Sequence, residues 1–212
     1  MPADTMLPSG NSYKVRILLA LLNVPFEKVV IDHERHEHKT PEFRKISPRG
    51  EVPVLEVDGT RIWDSSACLV YLARAYGKGQ WLPDDPLQMA EVMQWLALAG
   101  NEIQFGLQYA RRGLKQNRWT AGTLEQGQAL GKIALDLLED RLRCNDWRAL
   151  GRPTIADIAC FPNVALAPDG GVALDDYPSI RLWMRAIRSL ERFIEMPGIH
   201  RLHELKPAPE AV

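Results

Sequence analysis

The most informative segment of the sequence spans residues 52–65 and reads Val52-Pro53-Val54-Leu55-Glu56-Val57-Asp58-Gly59-Thr60-Arg61-Ile62-Trp63-Asp64-Ser65. Apolar and β-branched residues on both sides of Asp58-Gly59 predict two short strands, because this dipeptide is typical of a tight hairpin turn. Asp64 or Ser65 is then expected to cap the helix that follows. Proline cannot donate a hydrogen bond to a central strand ladder, and Val52–Pro53 is therefore a candidate for a cis peptide bond.

Upstream of this hairpin, helix and strand patterns alternate. Asn11 or Ser12 is expected to cap a helix over residues 13–22, which ends before a proline. Residues 26–31 are predicted to form a strand, and Thr40, followed by proline, is expected to begin a second helix. The order β-α-β-α-β-β-α predicts a small mixed α/β domain.

The strand patterns disappear after Pro86, and apolar residues then recur at helical spacing. Thr154-Ile155-Ala156-Asp157 resembles a capping box and opens an apolar helix, and Pro178 opens another. We therefore predict an α/β domain over residues 1–78, a linker over 79–86 and an all-helical domain over 87–212.

Composition and charge narrow the functional classes. The 212 residues carry 26 Lys and Arg against 27 Asp and Glu, a formal net charge of −1, so no overall field favours nucleic acid. The three dispersed cysteines Cys68, Cys144 and Cys160 indicate a reducing compartment. The N-terminus lacks the pattern of a secretory signal, and the apolar run at residues 17–22 is too short to span a bilayer. We expect a soluble cytoplasmic protein that binds neither nucleic acid nor membrane.

Several segments taken in order resemble the cytosolic glutathione transferases, particularly the bacterial serine- or asparagine-dependent type. These segments are Ser9–Arg16, His38–Phe43, Pro48–Leu55, Trp63–Ala67 and Thr154–Asp157. The resemblance implies a thioredoxin-like α/β N-terminal domain followed by an all-α helical-bundle domain. It further implies a homodimer that uses glutathione as cosubstrate.

The resemblance also implies which residues bind the tripeptide. Asp64 and Ser65 stand where the family holds the γ-glutamyl end, and a helix N-terminus independently favours a carboxylate. Val52, beside Pro53, would pair with the cysteinyl backbone.

Three positions concern the glycine end of the ligand. His38 or Lys39 could meet the glycine carboxylate. Glu51 stands where the family often has Lys or Gln near that end, and a carboxylate there would repel the ligand.

A second departure concerns the γ-glutamyl end, where Asp64 is one methylene shorter than the commoner Glu. Both departures favour an alternative without turnover, a binding or stress protein that kept the fold.

Two residues are candidates for the side chain that activates the thiol of glutathione. Ser9 aligns with the catalytic serine of serine-type classes, and Asn11 aligns with an asparagine used in some bacterial ones, with Ser12 as a further donor. Lowering a thiol pKa by about two units needs roughly 2.7 kcal/mol. One hydrogen bond to a charged acceptor supplies about 1.5–3 kcal/mol and a helix N-terminus about 0.3–1 kcal/mol, so no basic side chain is required. Turn or cap roles are the alternative for all three residues.

The predicted function is a glutathione transferase whose thiolate attacks a hydrophobic electrophile. The wall of the electrophile pocket is expected at Asn101, Gln104, Phe105 and Tyr109. A glutathione-dependent disulfide-bond oxidoreductase would use the same site. The isomerase class of the family is a weaker match, because its Ser-Ser-Cys signature reads Ser9-Gly10-Asn11 here.

A metal site is not expected. His33, His36 and His38 lie within six residues but alternate with charged residues and lack a cysteine or a distant fourth ligand. A solvated loop is the favoured interpretation, and the same holds for His200 and His203.

Overall fold

The computed structural model describes residues 9–116 and 120–196. Its first part combines helices with one hairpin: α1 (Gly10–Leu21), α2 (Pro41–Arg44), β1 (Val54–Val57), β2 (Thr60–Trp63) and α3 (Ser65–Tyr76). A single 3₁₀ turn, Glu37–Lys39, precedes α2. His200 and His203 lie outside the described residues.

The predicted hairpin is confirmed. β1 and β2 pair antiparallel, with Val54 opposite Trp63 and Val57 opposite Thr60. Asp58 and Gly59 both have positive φ angles, 49° and 77°, which the favoured two-residue hairpin turn requires. Because Trp63 ends β2, the hairpin delivers the chain directly to the N-terminus of α3.

The strand predicted over residues 26–31 is wrong. The segment has no regular structure, and Phe26, Val29 and Val30 are exposed. A strand is defined by a neighbour that pairs with its backbone, and the described ranges contain none for this segment. The strand expected ahead of α1 lies outside the described residues.

The start of α1 also differs from the prediction. The helix begins at Gly10 and its N-cap is Ser9, whose Oγ accepts a hydrogen bond from the Ser12 backbone N–H at 3.2 Å. Ser9 can do this because its backbone is extended and its short side chain reaches the N–H three residues on. The cap assigned to Asn11 or Ser12 is therefore corrected, whereas the Thr40 cap of α2 is confirmed.

The second part contains helices joined by loops, with no strand in the ranges described. It contains α4 (Pro86–Gly100), α5 (Tyr109–Gln116), α6 (Ala121–Arg143), α7 (Ile155–Ala165) and α8 (Pro178–Arg188), with a π-helical segment at Ile103–Gln108 and a 3₁₀ turn at Ala167–Gly170. Pro86, placed at the end of the expected linker, is the first residue of α4. No helix in the described ranges has the length and apolar character needed to cross a bilayer.

Helix α7 lies at the centre of the core. Every residue from Ile155 to Ala165 is buried, and α1, α3 and α4 pack around this helix. Its capping box is present as predicted: Thr154 accepts from the α7 backbone, and Asp157 accepts from the Thr154 N–H at 2.9 Å. The core is therefore continuous between the first and second parts of the chain.

Candidate functional site

A shallow cleft lies where the N-termini of α1 and α3 face the segment that leads into β1. The residues that line it are Asn11, Ser47, Arg49, Glu51, Val52, Pro53, Trp63, Asp64 and Ser65. Five of the predicted site residues thus meet in one place, although they are spread over more than fifty positions of the chain: Asn11, Val52, Pro53, Asp64 and Ser65.

The segment ahead of β1 is held by its own hydrogen bonds. The Val52–Pro53 peptide bond is cis, as predicted. Ser47, which is buried, donates from its Oγ to the Glu51 carbonyl at 2.9 Å and accepts from the Glu51 N–H at 3.3 Å. Sequence reasoning missed Ser47, and its place in the Ser47-Pro48 turn was the available signal.

Asp64 joins the cleft to helix α3. Its Oδ1 accepts hydrogen bonds from the backbone N–H groups of Ser66 at 2.8 Å and Ala67 at 3.4 Å, which caps the helix. Its Oδ2 lies 3.6 Å from Nη1 of Arg49. One carboxylate oxygen therefore serves the helix and the other faces the cleft, so the cap and binding roles can coexist.

Arg49 is the main cleft residue that sequence reasoning missed. Its Nε lies 3.4 Å from Oε2 of Glu51, so Glu51 and Asp64 share one guanidinium. Glu51 thus lies beside the residue assigned to the γ-glutamyl end, and Arg49 offsets the repulsion expected from its carboxylate. The sequence signal that could have identified Arg49 was its position two residues before Glu51, a residue type that is unusual there in the family.

The two candidate activators differ in their surroundings. Asn11 lines the cleft, and its Nδ2 donates to Oε1 of Gln104 at 3.2 Å. Asn11 Oδ1 is buried and has no hydrogen-bond partner within the described part of the chain. Ser9 and Ser12 are not among the lining residues. The Ser9 oxygen accepts from Ser12, and its hydroxyl hydrogen remains available for donation.

The expected wall of the electrophile pocket is divided between two places. Gln104 reaches Asn11, whereas Phe105 and Tyr109 pack edge-to-face at 5.1 Å and line a separate groove against α6. Asn101 follows α4 as its C-cap and lines neither cavity. Neighbouring residues of a helical segment point in different directions, so Gln104 contacts Asn11 while Phe105 lines the separate groove.

His38 and Lys39 do not line the cleft. Lys39 Nζ donates to the carbonyl of Gly50 at 2.7 Å. Burial, and then the nearby His33 and Lys39, lower the pKa of His38 to about 4, so it is neutral at neutral pH. The His33 and His38 rings lie 4.4 Å apart. Within residues 9–116 and 120–196, no group of three or more His, Cys, Asp or Glu could hold a metal ion.

Two further buried groups interact electrostatically with Asp64. Lys14 on α1 is 2% exposed, and burial lowers its pKa to about 8, partly opposed by Cys160 and Asp64. Burial raises the pKa of Cys68 to about 12, which holds its thiol protonated and makes it unreactive.

Comparison with known proteins gives the same family as the sequence segments that resemble it. Residues 8–75 match the family model of the glutathione S-transferase N-terminal domain. Maleylacetoacetate isomerase of Pseudomonas aeruginosa is 30% identical over 193 residues, which cover 85% of this chain and 88% of that protein. The disulfide-bond oxidoreductase YfcG of Escherichia coli is 26% identical over 191 residues, covering 86% and 87%.

The fold is shared with solved structures. A possible glutathione S-transferase from Rhodopseudomonas palustris superposes with a TM-score of 0.81 at 34% identity, over 88% of this chain and 93% of that chain. The predicted fold class, a thioredoxin-like N-terminal domain followed by a helical domain, is thereby confirmed.

Proposed function

Because the chain belongs to the glutathione S-transferase family, we propose that it is a glutathione transferase that ionises the thiol of glutathione for attack on a hydrophobic electrophile. The observation that carries the proposal is the cleft itself. It combines Asn11 at the N-terminus of α1, Val52 beside the cis proline, and the Asp64-Ser65 pair at the N-terminus of α3.

These three places match the three parts of the tripeptide. The γ-glutamyl carboxylate is bound by the hydroxyl and the backbone N–H of Ser65 and by the positive dipole of α3, because the Ser66 and Ala67 N–H groups already donate to the Asp64 cap. Oδ2 of Asp64, which takes no part in the helix cap, accepts from the ammonium group. The backbone of Val52 pairs with the cysteinyl residue, which places the sulfur toward Asn11 and the start of α1.

Ser9 and Asn11 then stabilise the thiolate by hydrogen bonds. The thiol loses its proton to solvent, the sulfur attacks the electrophilic carbon, and a C–S bond forms while the leaving group departs. The protein itself forms no covalent bond. Lowering the thiol pKa requires only hydrogen-bond donors and a helix N-terminus, because together they supply enough free energy for a shift of about two units.

The activator is tested by the ultraviolet absorbance of bound thiolate as a function of pH. Ser9→Ala and Asn11→Ala are each expected to raise the thiol pKa by roughly one to two units, because one charged hydrogen bond is lost. Thr120→Ala is the matched control, since it removes a helix cap on α6 far from the cleft. An unchanged thiol pKa in both variants would refute this mechanism.

A second candidate activity follows from the relatives. The similarity to a maleylacetoacetate isomerase favours an isomerisation at the same cleft. The similarity to YfcG favours a disulfide reductase as a further alternative. This reaction would need a second glutathione.

Turnover of three substrates separates these activities: an aryl halide, hydroxyethyl disulfide and maleylacetoacetate. We expect the aryl halide to react fastest. If either of the others exceeds it, the reaction is reassigned. If calorimetry detects no binding of glutathione at millimolar concentration, the non-catalytic alternative replaces all three.

The family resemblance also leads us to propose a cytoplasmic homodimer. Sedimentation equilibrium would test the dimer directly, because a monomer has a mass of 23.9 kDa.

A further inference from the structure

Arg49 bridges two acidic side chains across the cleft. Its Nε lies 3.4 Å from Glu51 Oε2, and its Nη1 lies 3.6 Å from Asp64 Oδ2. The three side chains are about half exposed, at 51%, 47% and 40%. They come from two separate elements, the segment before β1 and the N-cap of α3.

Such exposed ion pairs contribute little to stability. Structure alone therefore gives no strong reason for placing three charges together at the mouth of a cleft. The charges do match a ligand. The γ-glutamyl head is a zwitterion with one ammonium and one carboxylate, and the cleft presents one cation between two anions.

Binding of this head would exchange ion pairs instead of adding unpaired charges. The ligand ammonium takes the place of the guanidinium at Asp64 and Glu51, and the guanidinium turns to the ligand carboxylate. Asp64 can release Arg49 without losing its helix cap, because the cap uses Oδ1 and the ion pair uses Oδ2. The carboxylate then lies between Arg49 and the N-terminus of α3.

We propose that Arg49 is a specificity-determining residue of the cleft, which binds the α-carboxylate of the γ-glutamyl head and leaves Glu51 and Asp64 to its ammonium. The cleft therefore selects thiol peptides with a free α-amino-acid end. This inference rests on the proposed binding of glutathione.

The test combines one change in the protein with one change in the ligand. Calorimetry measures the binding affinity of all four combinations. The protein is wild type or Arg49→Gln. The ligand is glutathione or 4-aminobutanoyl-cysteinylglycine, which lacks only the α-carboxylate. We expect Arg49→Gln to weaken glutathione binding by roughly tenfold to 150-fold, the effect of one charged hydrogen bond. For the analogue, Arg49→Gln is expected to bind no more weakly than the wild type, because the analogue offers no carboxylate to Arg49.

Two further variants complete the design. Arg61→Gln is the matched control, because Arg61 forms a similarly exposed ion pair with Glu56 on the hairpin and does not line the cleft. Arg49→Lys keeps the charge but not the planar fork, and an intermediate affinity is expected.

The outcomes are distinct. Unchanged glutathione affinity in Arg49→Gln, or an equal loss for both ligands, would overturn the role of Arg49. If the wild-type protein binds neither ligand, the failure lies with the proposed function. Thermal unfolding of each variant shows that the comparison is made between folded proteins.

Discussion

At the scale of single residues, the chain buries a charge that its fold does not fully compensate. Lys14 has a pKa of about 8 because desolvation outweighs the attraction of Cys160 and Asp64. The buried charge is expected to lower the stability of the protein at neutral pH.

Lys14→Met should therefore stabilise the protein in a pH-dependent way. Between pH 8 and the ordinary lysine pKa of 10.5, the unfolded state binds the proton more tightly, so the contribution of Lys14 to stability improves as pH rises. The gain from Lys14→Met is expected to be about 3 kcal/mol at pH 7 and to shrink towards pH 10. Urea unfolding at both pH values measures it.

Lys132→Met on the exposed side of α6 serves as the control and should show no such pH dependence. A gain from Lys14→Met that stays constant from pH 7 to pH 10 would contradict the assignment.

At the scale of elements, the π-helical segment and α6 touch through their backbones. A Cβ atom added at Gly106 would lie 2.4 Å from the backbone nitrogen of Gly131, and one added at Gly131 would lie 2.5 Å from a Leu107 methyl group. These two glycines allow the close approach that positions Gln104 on one side of the segment and Phe105 on the other.

Gly106→Ala should destabilise the protein by about 1–3 kcal/mol, because backbone atoms cannot yield as a flexible side chain can. Gly122→Ala, at a site with nothing within 4 Å of the added Cβ, should be neutral or slightly stabilising through helix propensity. Denaturant unfolding of both variants gives the comparison. Equal stability of the two would show that the helices can separate at no cost.

At the scale of the whole molecule, one buried carboxylate joins the central helix to its surroundings. Asp157 accepts hydrogen bonds from the backbone N–H groups of Thr154 and Arg148 at 2.9 and 3.1 Å, and from Trp183 Nε1 at 2.9 Å. The Arg148 guanidinium is fully buried and lies 3.8 Å from the centre of the Trp183 ring. Helices α7 and α8 and the loop before α7 therefore depend on one residue.

Asp157→Ala is expected to lower the free energy of unfolding by about 3–5 kcal/mol, because it leaves buried donors and the Arg148 charge uncompensated. The exposed cap variant Thr120→Ala should cost only about 1 kcal/mol. Calorimetric melting measures both. A similar loss in the two variants would mean that Asp157 acts as a helix cap alone.

Much of the fold and part of the site could be predicted because their causes are local. The Asp58-Gly59 turn, the Asp64 cap and the capping box at Thr154 depend on residues within four positions of each other. The proline at the start of a strand made the Val52–Pro53 bond a candidate for a cis peptide, and the family resemblance favoured that form and gave the order of the domains.

The remaining features depend on contacts between distant parts of the chain. Asn11 meets Gln104 across 93 positions, and Arg49 reaches Asp64 from another element. Hydrophobic periodicity does not fix the rotation of a helix about its own axis to within one residue. The rotation observed in the structure turns Phe105 away from the cleft. Local chemistry in the sequence thus determined the turns, caps and helices of this protein, whereas only tertiary packing decided which charges and side chains share a cleft, because such distances depend on the packing of the entire chain.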